Sequence, residues 1–152
     1  MKKKLYRLTI YLLDMERKFV LLRRGEVGVM ANQYRPLSAA MNTSENPLQT
    51  LRRLIRALGE VKFEFMGHQG AMPIVLDRES VRLFPPLHVQ VTTADESSEY
   101  VDFVYVGRIT QPNLPIPKGE GQALGWFNLG NLHNAPEHVK EVVSMVLGLA
   151  NP

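Results

Sequence analysis

Residues 36–59 read PLSAAMNTSENPLQTLRRLIRALG, a short run that can extend as a strand, then a polar turn, then a helix. Asn46 is a good N-cap residue, and Pro47 at the first helical position has no N–H to leave unpaired. Leu48, Leu51, Leu54, Ile55 and Leu58 recur at helical spacing and form one apolar stripe. Gly59 can take the left-handed conformation that ends a helix, so the helix is expected over about 47–58. Gln49, Arg52, Arg53 and Arg56 fall off the stripe and face water or a ligand.

Outward from this helix the chain is mostly strand. LYRLTIYLL (5–13) is rich in β-formers, Asp14–Arg17 supplies a turn, and KFVLLRR (18–24) reads as a second strand, giving a hairpin. Residues 25–34 read as loop, broken by Gly25 and Gly28, and Tyr34–Met41 holds one short strand at most. VKFEFMGHQ (61–69) alternates, PIVL (73–76) is a short apolar run, and LHVQVTT (87–93) puts Leu87, Val89 and Val91 on one face. EYVDFVYVGRIT (99–110) is a long strand, QPNLPIPKGEGQ (111–122) a Pro/Gly loop, and ALGWFNL (123–129) a strand bearing Trp126. Trp126 is expected in the core or at a pocket wall. A last amphipathic helix is expected over about 136–149, carrying Val139, Val142, Val143, Val146 and Leu147. Strands, a helix, more strands and a helix predict an α+β fold with a mixed central sheet between the helices, and a single domain over 1–152.

Composition narrows the chemistry. The chain has 152 residues and no cysteine, which excludes disulfides, thiolate metal sites and cysteine nucleophiles and fits a cytoplasmic protein. The basic N-terminus superficially resembles a signal peptide, but Arg7 breaks the apolar run, Asp14 ends it, and no small-residue cleavage site follows. No stretch reaches the length of a membrane-spanning helix. The formal charge of +3 favours anionic ligands, while the lack of a basic run studded with aromatics argues against nucleic acid. His68, His88, His133 and His138 are too scattered for a metal signature.

Arg52, Leu54 and Gly59 stand at the spacing of the Nudix box, Gly-x5-Glu-x7-Arg-Glu-U-x-Glu-Glu-x-Gly-U with U aliphatic, and no gap is needed. VLLRR (20–24), VDFVYVGRI (101–109) and Glu120 followed by GWFNLGNL (125–132) also resemble segments of that family, in the same order. The chain therefore resembles the Nudix (MutT-like) hydrolase superfamily along most of its length. The resemblance implies an α/β/α sandwich, and for active members a magnesium site built from helix glutamates that serves the diphosphate of a nucleotide derivative.

The positions where this chain departs from the pattern govern its expected function. The carboxylate positions fall on Ser44, Arg53, Arg56 and Ala57, and the first glycine on Ser38. Magnesium needs oxygen ligands, whereas arginine offers only donors and a fixed positive charge. Unit charges about 6 Å apart at an effective dielectric of 20 repel by roughly 3 kcal/mol, and a divalent ion doubles that. The expectation is thus a degenerate member, a pseudoenzyme with no metal or other cofactor, that binds a small anion or nucleotide through Arg52, Arg53 and Arg56, or binds a protein partner. Homodimerisation stays open. Glu45 and Glu120 are the weak catalytic candidates, with Glu45 otherwise solvated. The alternative is an active hydrolase of a nucleoside diphosphate derivative, with magnesium held by non-standard ligands among Glu45, Glu60, Glu64, Asp102 and Glu120.

Overall fold

β1 (Lys3–Leu13) is the central strand, and its inner end is apolar at every position from Leu8 to Leu13 apart from Thr9 because both of its faces are covered. It pairs in parallel with β9 (Ser98–Ile109) along its whole length, from Lys3↔Ser98 to Leu13↔Arg108. On its other edge it forms the expected hairpin with β2 (Val20–Arg24), in the register Leu12↔Leu21 and Leu13↔Val20. The two hairpin strands then part. The segment holding β3 (Tyr34–Arg35) and β4 (Leu37–Ala40) fills the fork, with β3 on β2 and β4 on β1. Proline at position 36 separates them, so what reads as one short strand is two short ladders on different partners.

The other strands complete the mixed sheet. The far edge of β9 carries β5 (Phe63–Phe65) at one end and β8 (His88–Thr93) at the other, while β10 (Leu124–Phe127) closes the outer edge of β2. β6 (Ile74–Val75) and β7 (Val81–Arg82) form a separate antiparallel pair. The computed structural model describes residues 2–25, 32–66, 74–75, 81–82, 85–112 and 114–151. Gly28, His68 and the end of the strand expected over 61–69 lie outside these residues, as do the ends of the apolar run 73–76.

α1 (Pro47–Arg56) and α2 (Glu137–Ala150) cover opposite faces of the sheet. Alternation along β1 assigns the faces. Leu8, Ile10 and Leu12 join Leu51, Leu54 and Ile55 of α1, whereas Tyr11 and Leu13 join Val139, Val142, Val143 and Val146 of α2. Both helices fall within two residues of expectation. α1 stops at Arg56 because Ala57 is its C-cap, with Gly59 beyond at φ +98°, and Leu58 is only half-buried. α2 starts one residue late because Pro136 is its N-cap.

One face is inverted relative to its polarity. On β8 the apolar Val89 and Val91 are exposed at 52% and 59%, while His88, Gln90 and Thr92 are half-buried. Gln90 stands opposite Asp102 of β9, so its side of the strand faces a polar cluster and the valine side faces out. No described helix is long and apolar enough to cross a membrane.

Candidate functional site

The α1 entrance is organised by one carboxylate. The Asn46 side chain accepts from the Gln49 N–H (2.9 Å) while the Gln49 side chain accepts from the Asn46 N–H (2.8 Å), which closes a capping box. Just before it, Glu45 accepts from the Asn42 N–H (3.1 Å), the Thr50 hydroxyl (3.2 Å) and a fork of Arg53, whose Nε and Nη2 are both 2.9 Å away. Arg53 Nη2 also donates to the Ala40 carbonyl at the end of β4 (2.7 Å). The Arg53 hydrogen bond is the main cause that brings the Glu45 carboxyl down to about 2, and the bonds from Asn42 and Thr50 add to it.

Two expectations are corrected by this arrangement. Glu45 is held by the protein, with 15% of its side chain exposed, rather than solvated. Arg53 is a latch between β4, the turn and α1, so its fork is already occupied. Arg52 and Arg56 are exposed and have no hydrogen-bond or ion-pair partner among the described residues.

The latch makes a pH prediction. The folded value of Glu45 lies below its ordinary 4.5, so its stabilising contribution is complete above pH 4.5 and is lost as pH falls toward about 2. Glu45→Gln should therefore be less stable than the parent near neutrality and converge with it at about pH 2. Thermal melts of both proteins against pH check this, and a constant gap down to the acid end would contradict it.

The remaining acidic candidates are dispersed. Glu64 pairs with Arg108 (3.0 Å), Glu60 is exposed, and Asp102 is 1% exposed within the sheet. Glu120 is half-buried and has no hydrogen-bond or ion-pair partner among the described residues. Its loop is firmly placed: the Tyr34 hydroxyl donates to the Gln122 carbonyl (2.7 Å) and accepts from the Gly121 N–H (3.0 Å). Gly125 lets that loop lie against β10, since a Cβ there would stand 2.5 Å from the Gly119 carbonyl oxygen. Among the described residues no three His, Asp or Glu side chains are grouped so that together they could hold a metal ion. On α1 the outward side chains are cationic and the nearby carboxylate is engaged, so these residues do not fit a hard divalent cation.

A second polar constellation, of which the sequence singled out only Asp102 as an alternative metal ligand, lies on the α2 face. Asp102 accepts from Thr9 Oγ1 (2.6 Å), Arg7 Nη2 (2.9 Å) and Gln90 Nε2 (3.2 Å), and the Arg7 guanidinium lies 4.5 Å from the centre of the Tyr100 ring. Burial, then the Arg7 charge, holds Arg35 below the ordinary arginine value. Burial, then Arg35 and Arg7, depresses His138 in the first turn of α2, while Asp102 and Glu141 oppose the shift. Burial is also the main cause that raises Tyr11, with Asp102 adding to it. Among the described residues the only buried side-chain nitrogens or oxygens without a partner are Arg7 Nε and Arg35 Nε. Leaving such donors unmade costs roughly 1–3 kcal/mol each. The parallel register of β1 on β9 sets Arg7 beside Asp102, and a separation of 95 residues hid that pairing from the sequence.

An open cleft of about 330 Å³ lies at the hairpin end of the sheet, walled by Phe19, Ile109, Leu114, Lys118 and Trp126. Lys118 Nζ stands 4.6 Å from the centre of the Phe19 ring. Trp126 is thus both 8% exposed core and pocket wall, and none of Arg52, Arg53 or Arg56 lines this cleft.

This architecture is the Nudix fold. The chain is similar to a Nudix-family hydrolase from Clostridium perfringens, with 19% identity and a TM-score of 0.69 over 96% of this chain and 97% of that one. It is similar to the Nudix domain of Shewanella oneidensis NrtR, which was solved with ADP-ribose, at 12% identity and a TM-score of 0.62 over 99% and 91%. A MutT Nudix hydrolase from Burkholderia pseudomallei matches at 14% identity and a TM-score of 0.56 over 94% and 98%. No protein-family model matches the sequence, and no curated protein does either.

Proposed function

We infer that the protein is a Nudix-fold binding module for a small anionic ligand of the nucleotide-derivative class, without metal-dependent diphosphate hydrolysis. The observation that carries this reading is the Arg53 fork on Glu45, which takes up the carboxylate beside α1 and leaves Arg52 and Arg56 as exposed cations. Arginine donates charge-assisted bonds to phosphate oxygens without a bridging metal. The ADP-ribose bound to the Shewanella domain supports a nucleotide diphosphate as the ligand class. Arg53 is left out of the ligand contacts because releasing it would undo the latch.

The test is calorimetric titration of ADP-ribose in chelator, using the parent and an Arg52→Ala, Arg56→Ala double variant. Both side chains lie off the apolar stripe, so the fold is expected to survive. Loss of their bonds to a charged group should weaken binding by on the order of tenfold or more. Equal affinity in both proteins would return the arginines to an ordinary solvated surface. The hydrolase names of the neighbours favour a second reading, an active diphosphatase with non-standard metal ligands. Glu120 is then the residue to examine, as a half-buried carboxylate with no partner among the described residues.

A further inference from the structure

The cleft at the hairpin end of the sheet is walled by two kinds of group. Phe19, Ile109, Leu114 and Trp126 give it an apolar lining, while Gln111 and Lys118 bring polar ends to the same space. Local structure fixes both. Asp14 Oδ1 accepts from the Lys18 and Phe19 N–H groups (2.7 and 3.0 Å), which closes the β1–β2 turn and holds the backbone of Phe19. The chain at Lys118 is bridged in parallel to Trp126. The Trp126 N–H donates to the Pro117 carbonyl and the Gly119 N–H donates to the Trp126 carbonyl, each at 2.9 Å. Lys118 Nζ then stands 4.6 Å from the centre of the Phe19 ring.

The polar atoms of this cleft are donors without acceptors. Among the described residues Lys118 has no carboxylate or carbonyl partner, and the Phe19 ring alone meets its charge. The Gln111 side chain spends its oxygen on the Lys62 N–H (2.8 Å), which leaves its amide NH₂ unmatched among the described residues. The Trp126 indole N–H has no hydrogen-bond partner among them either, although Trp126 is only 8% exposed. It is not one of the sealed donors, which are Arg7 Nε and Arg35 Nε, so solvent reaches it at a residue that lines the cleft. The acidic groups nearby are engaged: Asp14 in the turn, and Glu16 with Lys18 (3.8 Å) on the open surface. Donors beside aromatic walls, in a cleft of about 330 Å³, suit one ring that carries an oxyanion.

We propose that this cleft binds a flat aromatic carboxylate, its ring against Phe19 and Trp126 and its carboxylate within reach of Lys118. Each half of such a ligand meets a need of the site. The ring removes apolar wall from water, and the carboxylate gives the ammonium a charge-assisted bond. Contact with Phe19 already restrains Lys118, so less side-chain freedom is lost on binding. None of Arg52, Arg53 or Arg56 lines the cleft, so this site stands whether or not the α1 arginines bind a nucleotide.

Trp126 is the one tryptophan of the chain, so its indole N–H gives a single peak in ¹H–¹⁵N spectra that needs no assignment. Benzoate, benzamide and acetate are titrated separately into the full chain at neutral pH. Benzoate is expected to move the indole peak along a saturating curve, and acetate to leave it in place. Benzamide, which keeps the ring and loses the charge, should need about tenfold more for half-saturation. Lys118→Met removes the charge from an exposed residue and should raise the benzoate half-saturation concentration by about tenfold. If Lys118→Met disturbs the backbone spectrum, Lys118→Gln replaces it with the same expected loss. The proposal is overturned if benzoate leaves the indole peak unmoved, or if acetate shifts it equally. It is overturned as well if benzamide binds as tightly as benzoate, or if the folded Lys118 variants keep the parent's affinity. Magnesium-dependent turnover would refute the binding-module reading and leave this result untouched.

Discussion

Incubated with magnesium and a panel of nucleoside diphosphate derivatives, the purified protein is expected to release no product at an enzymatic rate. Ordinary turnover is on the order of 1 s⁻¹ or more, so the assay has a wide margin. The reason is local electrostatics. A metal that bridges a diphosphate must collect several anionic oxygens within bonding distance, and hydrolysis also needs a group that can take a proton from water. Arg53 and Arg56 stand on the helix where the Nudix pattern carries glutamates, and Ala57 at the adjoining position offers nothing. Glu45, one residue away from the first acidic position, is tied by Arg53 at 2.9 Å. Binding a divalent ion there would require breaking that latch and then holding the ion beside the released guanidinium. Turnover at the ordinary rate that vanishes with chelator would promote the hydrolase reading, and Glu120→Gln would then show whether Glu120 is its carboxylate.

The second large effect concerns Asp102. Asp102→Ala should destabilise the protein by about 3–5 kcal/mol, because Arg7, with only 16% of its side chain exposed, would lose its carboxylate, and Thr9 and Gln90 would lose their acceptor. Its pairing differs in kind from that of Lys4 with Glu99, where 58% of the lysine side chain is exposed and water can replace the lost carboxylate. Glu99→Ala should accordingly leave the urea midpoint almost unchanged, while Asp102→Ala moves it far. A loss below about 1 kcal/mol for Asp102→Ala would mean that Arg7 swings out to solvent, and that the polar cluster on the α2 face is less rigid than the contacts to Thr9 and Gln90 imply.

Periodicity made the layers of this fold legible. α1 could be placed from Asn46, Pro47 and the leucine stripe because capping and helical spacing are local properties, and the hairpin of β1 and β2 followed from two apolar runs around Asp14. α2 was visible for the same reason, in its valines. The split of Tyr34–Ala40 into two ladders was not visible, since it depends on where β1 and β2 diverge. Nor could alternation tell which face of β8 is covered: it separates Val89 and Val91 from Gln90, but the antiparallel register that puts Asp102 opposite Gln90 leaves the valines outside.

The site divides along the same line. From the sequence alone came the absence of glutamates at the Nudix positions and the arginines in their place, because residue identity at a spacing is all that statement needs. Only the tertiary structure decided what each arginine does. Arg53 became a latch because Glu45 and the end of β4 come within reach, whereas Arg52 and Arg56 are exposed and have no hydrogen-bond or ion-pair partner among the described residues. Arg7, which the sequence marked only as a break in an apolar run, acquired a buried carboxylate from 95 residues away and an aromatic ring beneath it. Spacing reads contacts made within a turn or along a strand, whereas an ion pair across parallel strands exists only once their register is set.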